Sequence, residues 1–168
     1  MKNILTRRSI RKFTEQGLTT EQLTALLGAA MSAPTGRNAR PWQFIVVRER
    51  AILAGMRDCA PNTAVLAGAP AAIVVCGDLE KELVPGLWVQ DCAAATENLL
   101  LAAHASGLGA VWLSIYPNDE KVGKLRTYLG MPEHVIPLAV VALGYPAEEK
   151  AVGDRYDPQC VHYDRWEL

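Results

Sequence analysis

The sequence predicts a single domain in which α-helices cover a β-sheet. Its 168 residues are enough for one sizeable core, and a composition of 50% hydrophobic and 21% charged residues is typical of globular proteins. Short runs of apolar, β-prone residues alternate with longer segments of helical spacing. Because the two kinds of signal are interleaved along the chain, we expect one mixed α and β domain over residues 1–168, without an internal boundary.

Two elements in the first half of the chain have clear signals. Thr19 to Met31 is predicted as a helix, since Thr19 and Gln22 have capping-box spacing and leucines recur on one face. Phe44 to Val47 is predicted as a strand that is buried on both faces. Weaker patterns indicate short helices at Asn3 to Arg8 and Ala51 to Asp58.

The second half contains a long helix between strands. Leu87 to Gly107 has the alanine content and length of a long helix, and its nearly uniform apolar character predicts burial on more than one side. Asn118 is predicted to cap a further helix that runs to Gly130. Strands are predicted at Ala71 to Cys76, Gly109 to Ile115 and Ile136 to Gly144.

The end of the chain, from about residue 147 to 168, forms a polar tail with little predicted structure. It nevertheless carries three large aromatic residues, Tyr156, Tyr163 and Trp166. Such side chains would be exposed on a monomer, so we expect the tail to wrap around a neighbouring subunit.

Composition argues against several classes of protein. A net charge of −1 lacks the basic excess of a general nucleic-acid surface. No apolar stretch has the length of a membrane span, and the N-terminus is polar and basic, so we expect a cytoplasmic protein without a membrane partner. The four cysteines are widely spaced and lack metal-ligand spacing, which predicts reduced thiols and no metal site.

Positive charge is concentrated at the start of the chain, where residues 1–12 are basic at five positions and acidic at none. In the segment R-R-S-I-R-K-F, an extended backbone would direct Arg7, Ser9 and Arg11 to one side. Two guanidinium groups and a hydroxyl on one side suit a phosphate and its polar neighbours. The alternative is a basic terminus that is simply solvated.

A second candidate site is the loop from Ser32 to Phe44, S-A-P-T-G-R-N-A-R-P-W-Q-F. Its two prolines restrict the backbone and Gly36 permits a strained turn, which predicts a loop of fixed shape. Arg37 and Arg40 add positive charge beside rigid backbone groups, an arrangement that suits a planar, anionic ligand. The alternative is an ordinary helix-to-strand connection. We expect the loop and the basic N-terminal segment to converge.

The common catalytic and nucleotide-binding motifs are absent from the sequence. It contains no G-x-G-x-x-G after the first strand, no P-loop and no G-x-S-x-G nucleophile motif. Its three histidines are scattered and do not indicate a catalytic triad. We therefore expect a bound cofactor, rather than protein side chains, to carry any chemistry.

The basic segment and the loop, in this order and separated by one helix, resemble the FMN-dependent nitroreductase family. The likeness continues through Q-D-C-A-A-A-T-E-N-L-L-L-A-A-H-A-S-G-L-G-A-V-W-L and L-A-V-V-A-L-G-Y-P-A-E, and so covers nearly the whole chain. The resemblance implies an α+β fold with a central mixed, mostly antiparallel sheet flanked by helices. It also implies an interlocked homodimer with FMN at the subunit interface.

The resemblance further implies which residues contact FMN. The basic segment would bind the phosphate, ribityl and pyrimidine parts, the central loop the flavin, and the end of the third strand the isoalloxazine through its backbone. A basic residue in the tail would complete the phosphate site, with Lys150 as a weaker candidate than Arg155. The implied positions are Arg7, Arg8, Ser9, Arg11, Thr35, Asn38, Ser114, Ile115 and Arg155.

The implied activity is an NAD(P)H-dependent oxidoreductase. NADH or NADPH would reduce the flavin and leave, and a nitroaromatic, quinone or related acceptor would then take the hydride from flavin N5 in a ping-pong cycle. No protein side chain is expected to be catalytic, and Arg11 would support the negative charge of the reduced ring. The alternatives are another flavin reaction, such as reductive dehalogenation or dehydrogenation, and a non-catalytic flavin-binding redox module.

The chain departs from the family pattern at one position of the loop. Relatives often have N-x-Q-P-W, whereas this chain reads Asn38-Ala39-Arg40-Pro41-Trp42. An arginine thus replaces a neutral amide, and it could pair with an acidic substrate or an acidic neighbour. We therefore leave the acceptor open.

Overall fold

The computed structural model of the chain describes residues 1–166, and the last two residues of the predicted tail lie outside the described part. Its centre is a four-stranded sheet with the order β1-β2-β4-β3, in which every neighbouring pair is antiparallel. The strands are β1 (Trp42–Val47), β2 (Ala71–Asp78), β3 (Gly109–Ser114) and β4 (Val135–Gly144).

Five α-helices accompany the sheet: α1 (Lys2–Thr6), α2 (Thr20–Met31), α3 (Arg50–Met56), α4 (Leu87–Ala105) and α5 (Asp119–Leu129). Short 3₁₀ turns extend α3 and cover Pro61–Gly68. The predicted capping box is present, because the Thr19 hydroxyl accepts from the Gln22 N–H and the Gln22 side chain accepts from the Thr19 N–H. The Asn118 side chain likewise caps α5.

The helices lie on both faces of the sheet and create two cores. Alternation along β2 sends Ile73 and Val75 towards α2 and α4, and Val74 towards α3 and α5. All eight residues of β2 are buried, as predicted for a strand with two covered faces. Helix α4 supports the first core along most of its length, with eight buried residues including Leu99.

One expectation about the sheet needs correction. The predicted burial of Phe44 to Val47 on both faces is wrong, because β1 is an edge strand and Val46 is 37% exposed. The resemblance implied a mixed, mostly antiparallel sheet, and every pair of named strands is antiparallel. Within residues 1–166 the one parallel contact is an isolated bridge between Ser9 and Ala110.

The tail after β4 lies along the surface. Beyond one 3₁₀ turn at Pro158–Cys160 it contains no regular element within the described residues. Its aromatic side chains are largely exposed, with values of 70% for Tyr156, 78% for Tyr163 and 76% for Trp166. No helix in residues 1–166 combines the length and the apolar character that crossing a bilayer requires.

Candidate functional site

The loop between α2 and β1 has an unusual backbone. Arg37, Asn38 and Arg40 adopt positive φ angles of 52°, 58° and 49°, a region that non-glycine residues rarely occupy. Each such residue costs on the order of 1 kcal/mol, so the surrounding contacts must hold the loop in place. Backbone strain of this kind concentrates at ligand sites, which makes the loop a candidate functional element.

Contacts from inside and outside the loop secure this conformation. The buried carboxylate of Asp91 on α4 accepts a 2.9 Å hydrogen bond from the Gly36 N–H. Gly36 also lies so close to Leu87 that an added Cβ would sit 2.7 Å from its Cδ1. Within the loop, the Arg40 N–H donates to the Thr35 hydroxyl at 3.3 Å and Arg40 Nε donates to Asn38 Oδ1 at 2.8 Å.

The loop lies at the same end of the sheet as the C-terminal end of β3. Trp88, next to Leu87 on α4, contacts Tyr116 edge to face with ring centroids 4.9 Å apart. Ser114 is exposed, its carbonyl accepts from Asn62 Nδ2 at 3.0 Å, and by alternation it lies on the face that α4 covers. Ile115 is buried in the opposite core. Thr35, Asn38, Ser114 and Ile115 therefore belong to one end of the sheet.

The basic N-terminal segment lies at the other end, beside the start of β3. The Ile10 N–H donates to the Ala110 carbonyl at 3.0 Å, and the side chain of Ile10 occupies the space beside Gly109. Arg7 forms an ion pair with Glu97 of α4, with Nε and Oε1 3.5 Å apart. This packing makes the segment an ordered part of the domain rather than a solvated terminus.

Glu148, just after β4, holds the backbone of the basic segment. Its Oε1 accepts hydrogen bonds from the N–H groups of Arg11, at 2.6 Å, and Lys12, at 3.2 Å, while Oε2 pairs with Lys150 Nζ at 3.1 Å. The hydrogen bond from the Arg11 backbone, followed by that from Lys150, lowers the pKa of the Glu148 carboxyl. Lys150 is therefore already neutralised by a carboxylate.

A cavity of about 500 Å³ joins the basic segment to the tail. Arg7, Arg8 and Arg155 all line it, together with apolar atoms of Ile4 and Leu5. Arg8 Nε donates to the Ala151 carbonyl at 2.9 Å, and its terminal nitrogens also reach backbone carbonyls, so this guanidinium fastens the tail. Arg155 forms no ion pair among the described residues, and it therefore offers a free cation to the cavity.

The expectation that the loop and the basic segment converge is wrong within one chain, because the structure separates the predicted site residues into two groups at opposite ends of β3. Ala110, which contacts Ser9, and Ser114 are four residues apart on β3, a distance of about 13 Å along an antiparallel strand. On α4, Asp91 contacts the loop and Glu97 contacts the basic segment. The two residues are about 9 Å apart along the helix axis, and their side chains leave the helix in directions that differ by about a third of a turn. No hydrogen bond or ion pair within the described chain joins the two groups.

One cluster of side chains that could bind a metal ion lies outside both groups. Ligand atoms of Asp78, Glu80 and His134 are within 4.8 Å of one another. Burial tends to raise the pKa of the Asp78 carboxyl, but hydrogen bonds from Gln43, Lys81 and the Glu80 N–H lower it overall. Because its oxygens already accept these donors, we do not assign a metal to the cluster.

Sequence reasoning did not single out Asp91 or Glu148. Asp91 stands among apolar residues near the start of the helix Leu87–Ala105, and that was a usable signal, because a buried carboxylate needs a partner. Glu148 carried no comparable signal, since it belongs to a polar tail and its contact with Arg11 spans 137 residues of sequence.

An antiparallel sheet covered by helices, with a basic segment and a strained loop at its two ends, is the architecture of a nitroreductase-like α+β protein. The Nitroreductase family model matches residues 4–145, and the chain belongs to this family.

Individual relatives are similar over almost the full chain. A protein of Methanothermobacter thermautotrophicus named "Putative NADH dehydrogenase/NAD(P)H nitroreductase" is 47% identical over 163 residues, which is 97% of this chain and 85% of the relative. The crystal structure of a protein with the same name from Parabacteroides distasonis superposes with a TM-score of 0.94 at 39% identity, covering 98% of this chain and 97% of the other. An FMN-dependent nitroreductase from Clostridium difficile gives a TM-score of 0.92 at 30% identity, covering 99% and 100%.

Proposed function

We propose that the protein is an FMN-dependent oxidoreductase that uses NADH or NADPH to reduce nitroaromatic, quinone or related small acceptors. Family membership and the names of its relatives support this class of activity. The structural observation that carries the proposal is the cavity that Arg7 and Arg155 line, because two guanidinium groups from distant parts of the chain converge on one space. Such a pair suits a phosphate dianion.

The residues present fit FMN in both charge and hydrogen-bonding capacity. Arg7, Arg155 and Ser9 offer donors for a phosphate and the polar chain attached to it. At the other end of the sheet, the Asn38 amide group and exposed Ser114 offer polar contacts for the ring. FMN held by these residues would supply the two-electron hydride chemistry that a ping-pong cycle between NAD(P)H and an acceptor requires.

The protein's own contribution is position and charge. Asp91 keeps the strained loop in place, and Glu148 accepts a hydrogen bond from the backbone of Arg11 and so fixes this part of the basic segment. Arg11 is exposed in the described chain and pairs with no carboxylate there, so its charge remains available to stabilise an electron-rich ring. Lys150 is a poorer candidate for the phosphate than Arg155, since Glu148 already neutralises it.

We further propose a homodimer in which FMN lies between the subunits and the tail wraps its partner. The separation of the two groups within one chain supports this arrangement, because a second copy can bring its loop to the first copy's basic segment. The exposed aromatic residues Tyr156, Tyr163 and Trp166 supply apolar area for such contacts. A cytoplasmic location suits the four free cysteines.

The absorption spectrum of the purified protein tests the cofactor. We expect a flavin spectrum, or its appearance after FMN is added, and reduction of that flavin by NADH or NADPH. Arg7→Ala and Arg155→Ala should each retain less FMN than the parent, whereas Arg48→Ala, an exposed arginine at the end of β1, should match it. Turnover of a nitro compound and a quinone then tests the activity. A protein that takes up no FMN contradicts the proposal, and one whose bound FMN neither nucleotide reduces contradicts the enzymatic part.

A further inference from the structure

The strained loop carries two cations that the structure leaves without a counter-charge. Arg37 and Arg40 are both exposed, and neither forms an ion pair with any residue that the structure describes. Asp91, a buried carboxylate of α4 that contacts the loop, accepts a hydrogen bond from the Gly36 N–H and forms no ion pair with either arginine. The two positive charges are therefore available to a ligand.

The Arg40 guanidinium is oriented so that it can bind an anion in bidentate fashion. Its only side-chain hydrogen bond in the described chain goes from Nε to Asn38 Oδ1, at 2.8 Å, which leaves both terminal nitrogens free. Its backbone is also fixed, since φ is positive, Pro41 follows, and the N–H donates to the Thr35 hydroxyl. A side chain that is ordered in advance loses less entropy when it binds a carboxylate or a phosphate.

The position of the loop places these charges at the ring end of the proposed site. Gly36 packs on Leu87, and the next residue of α4, Trp88, contacts Tyr116 just beyond Ser114. The phosphate-binding group of Arg7 and Arg155 lies at the other end of the sheet. Within one chain, a charge from the loop is therefore too far from that group to serve the cofactor phosphate, which leaves the ring side of the proposed site for it.

We propose that Arg40, assisted by Arg37, selects substrates that carry an anionic group, a carboxylate or a phosphate, next to the ring or nicotinamide that reacts. This specificity rests on the proposed function. The anion has two possible sources, an acidic electron acceptor or the additional phosphate of NADPH, and both would bind to the same guanidinium chemistry.

The test compares ratios of kcat/KM, so that differences in intrinsic reactivity cancel between variants. One arm uses para-nitrobenzoate against para-nitrobenzamide, which have nearly the same shape and differ in charge. The other arm uses NADPH against NADH. In Arg40→Gln, at least one anionic-to-neutral ratio should fall by about five- to tenfold relative to the parent. In Arg40→Lys the same ratio should fall less than in Arg40→Gln, because lysine keeps the charge and loses only the bidentate geometry.

Two controls separate the loop from general surface charge. Arg48→Gln removes one exposed positive charge outside the loop and should leave both ratios unchanged. Raising the ionic strength from about 0.01 M to about 1 M should reduce the parent's preference and change that of Arg40→Gln by less, since salt screens exposed charges and only Arg37 remains in the variant. Arg37→Gln should shift the same ratio as Arg40→Gln, in the same direction.

The possible outcomes separate a failure of this inference from a failure of the proposed function on which it rests. A fall in the nitrobenzoate ratio identifies the acceptor as the anion, and a fall in the NADPH ratio identifies the reductant. If Arg40→Gln binds FMN and reduces para-nitrobenzamide like the parent while both ratios stay unchanged, the inference is wrong and the proposed function stands. If Arg40→Gln instead loses FMN, Arg40 belongs to cofactor binding and the inference is also wrong.

Discussion

The carboxylate of Asp91 accepts a hydrogen bond from the backbone N–H of Gly36 at 2.9 Å, across 55 residues of sequence. The contact joins the most buried acidic position of α4 to the loop in which three non-glycine residues have positive φ. A partly buried N–H gains from a partner, and a charged acceptor forms the stronger kind of hydrogen bond. Asp91 therefore stabilises a backbone shape that the loop residues themselves disfavour.

Replacing Asp91 should loosen the loop. We expect Asp91→Ala to lower the free energy of unfolding by about 1–3 kcal/mol, because it leaves the Gly36 N–H without its acceptor. Asp91→Asn keeps an acceptor oxygen and should lose less. Urea unfolding followed by circular dichroism measures both, and FMN retention should decrease in the same order. Equal stability of Asp91→Ala and the parent would show that the contact does not support the loop.

Gly77 is predicted to tolerate no side chain. A Cβ at this position would overlap the Trp88 ring, which is buried in the core that the sheet shares with α2 and α4. Gly77→Ala should cost about 1–3 kcal/mol of unfolding free energy through overpacking. Gly123 in α5 is the matched control, since nothing lies within 4 Å of its added Cβ. Gly123→Ala should stabilise the protein by about 0.5–1 kcal/mol, and thermal unfolding compares the two.

Two cysteines should be inert in the native protein. Cys76 and Cys92 are fully buried, and burial raises the pKa of each thiol to about 12. Because the thiolate is the reactive form, iodoacetamide at about pH 8 should leave both unmodified in folded protein. Mass spectrometry of digested peptides reads the modification, and the same reagent should label all four cysteines after denaturation. Rapid labelling of Cys92 in the folded protein would contradict the packing of α4 on β2.

Glu148 should make the attachment of the basic segment depend on pH. Its pKa is lower in the folded chain than its ordinary value of 4.5, chiefly because of the hydrogen bond from the Arg11 N–H. The stability that the carboxylate contributes is therefore present above pH 4.5 and is lost as the pH falls through the lower, folded-state pKa. Glu148→Gln should be less stable than the parent near neutral pH, and the difference should shrink as the pH falls below 4.5.

Urea midpoints across that pH range measure the effect. Glu149→Gln is the control, because it removes the adjacent negative charge, which accepts no hydrogen bond in the described chain. A difference between Glu148→Gln and the parent that is independent of pH would mean that charge is not the source of the stabilisation.

Much of the fold was predictable because its signals are local. The caps at Thr19 and Asn118 depend on residues three positions away, and both formed as predicted. The apolar run of β2 was buried throughout, since it lies between two other strands. The same reasoning failed for β1, because an apolar run looks alike at the edge and at the centre of a sheet.

The candidate site was predictable only in its parts. Composition and order of the basic segment and the loop made both candidates and indicated the family, and the family match confirms the family. The contacts that hold the loop and the basic segment in place were not predictable, because they join residues distant in sequence. They are Asp91 with Gly36 of the loop, Glu97 with Arg7, and Glu148 with the Arg11 backbone.

The sequence by itself determined the elements, their caps and the family, because each depends on the spacing of neighbouring residues or on the order of short motifs. Only the tertiary structure decided that the loop and the basic segment lie at opposite ends of β3. It also decided that, within residues 1–166, Lys150 pairs with a carboxylate and Arg155 does not. The physical reason is that strand order and ion pairing are selected by packing of the whole chain, where many pairings satisfy the same local pattern.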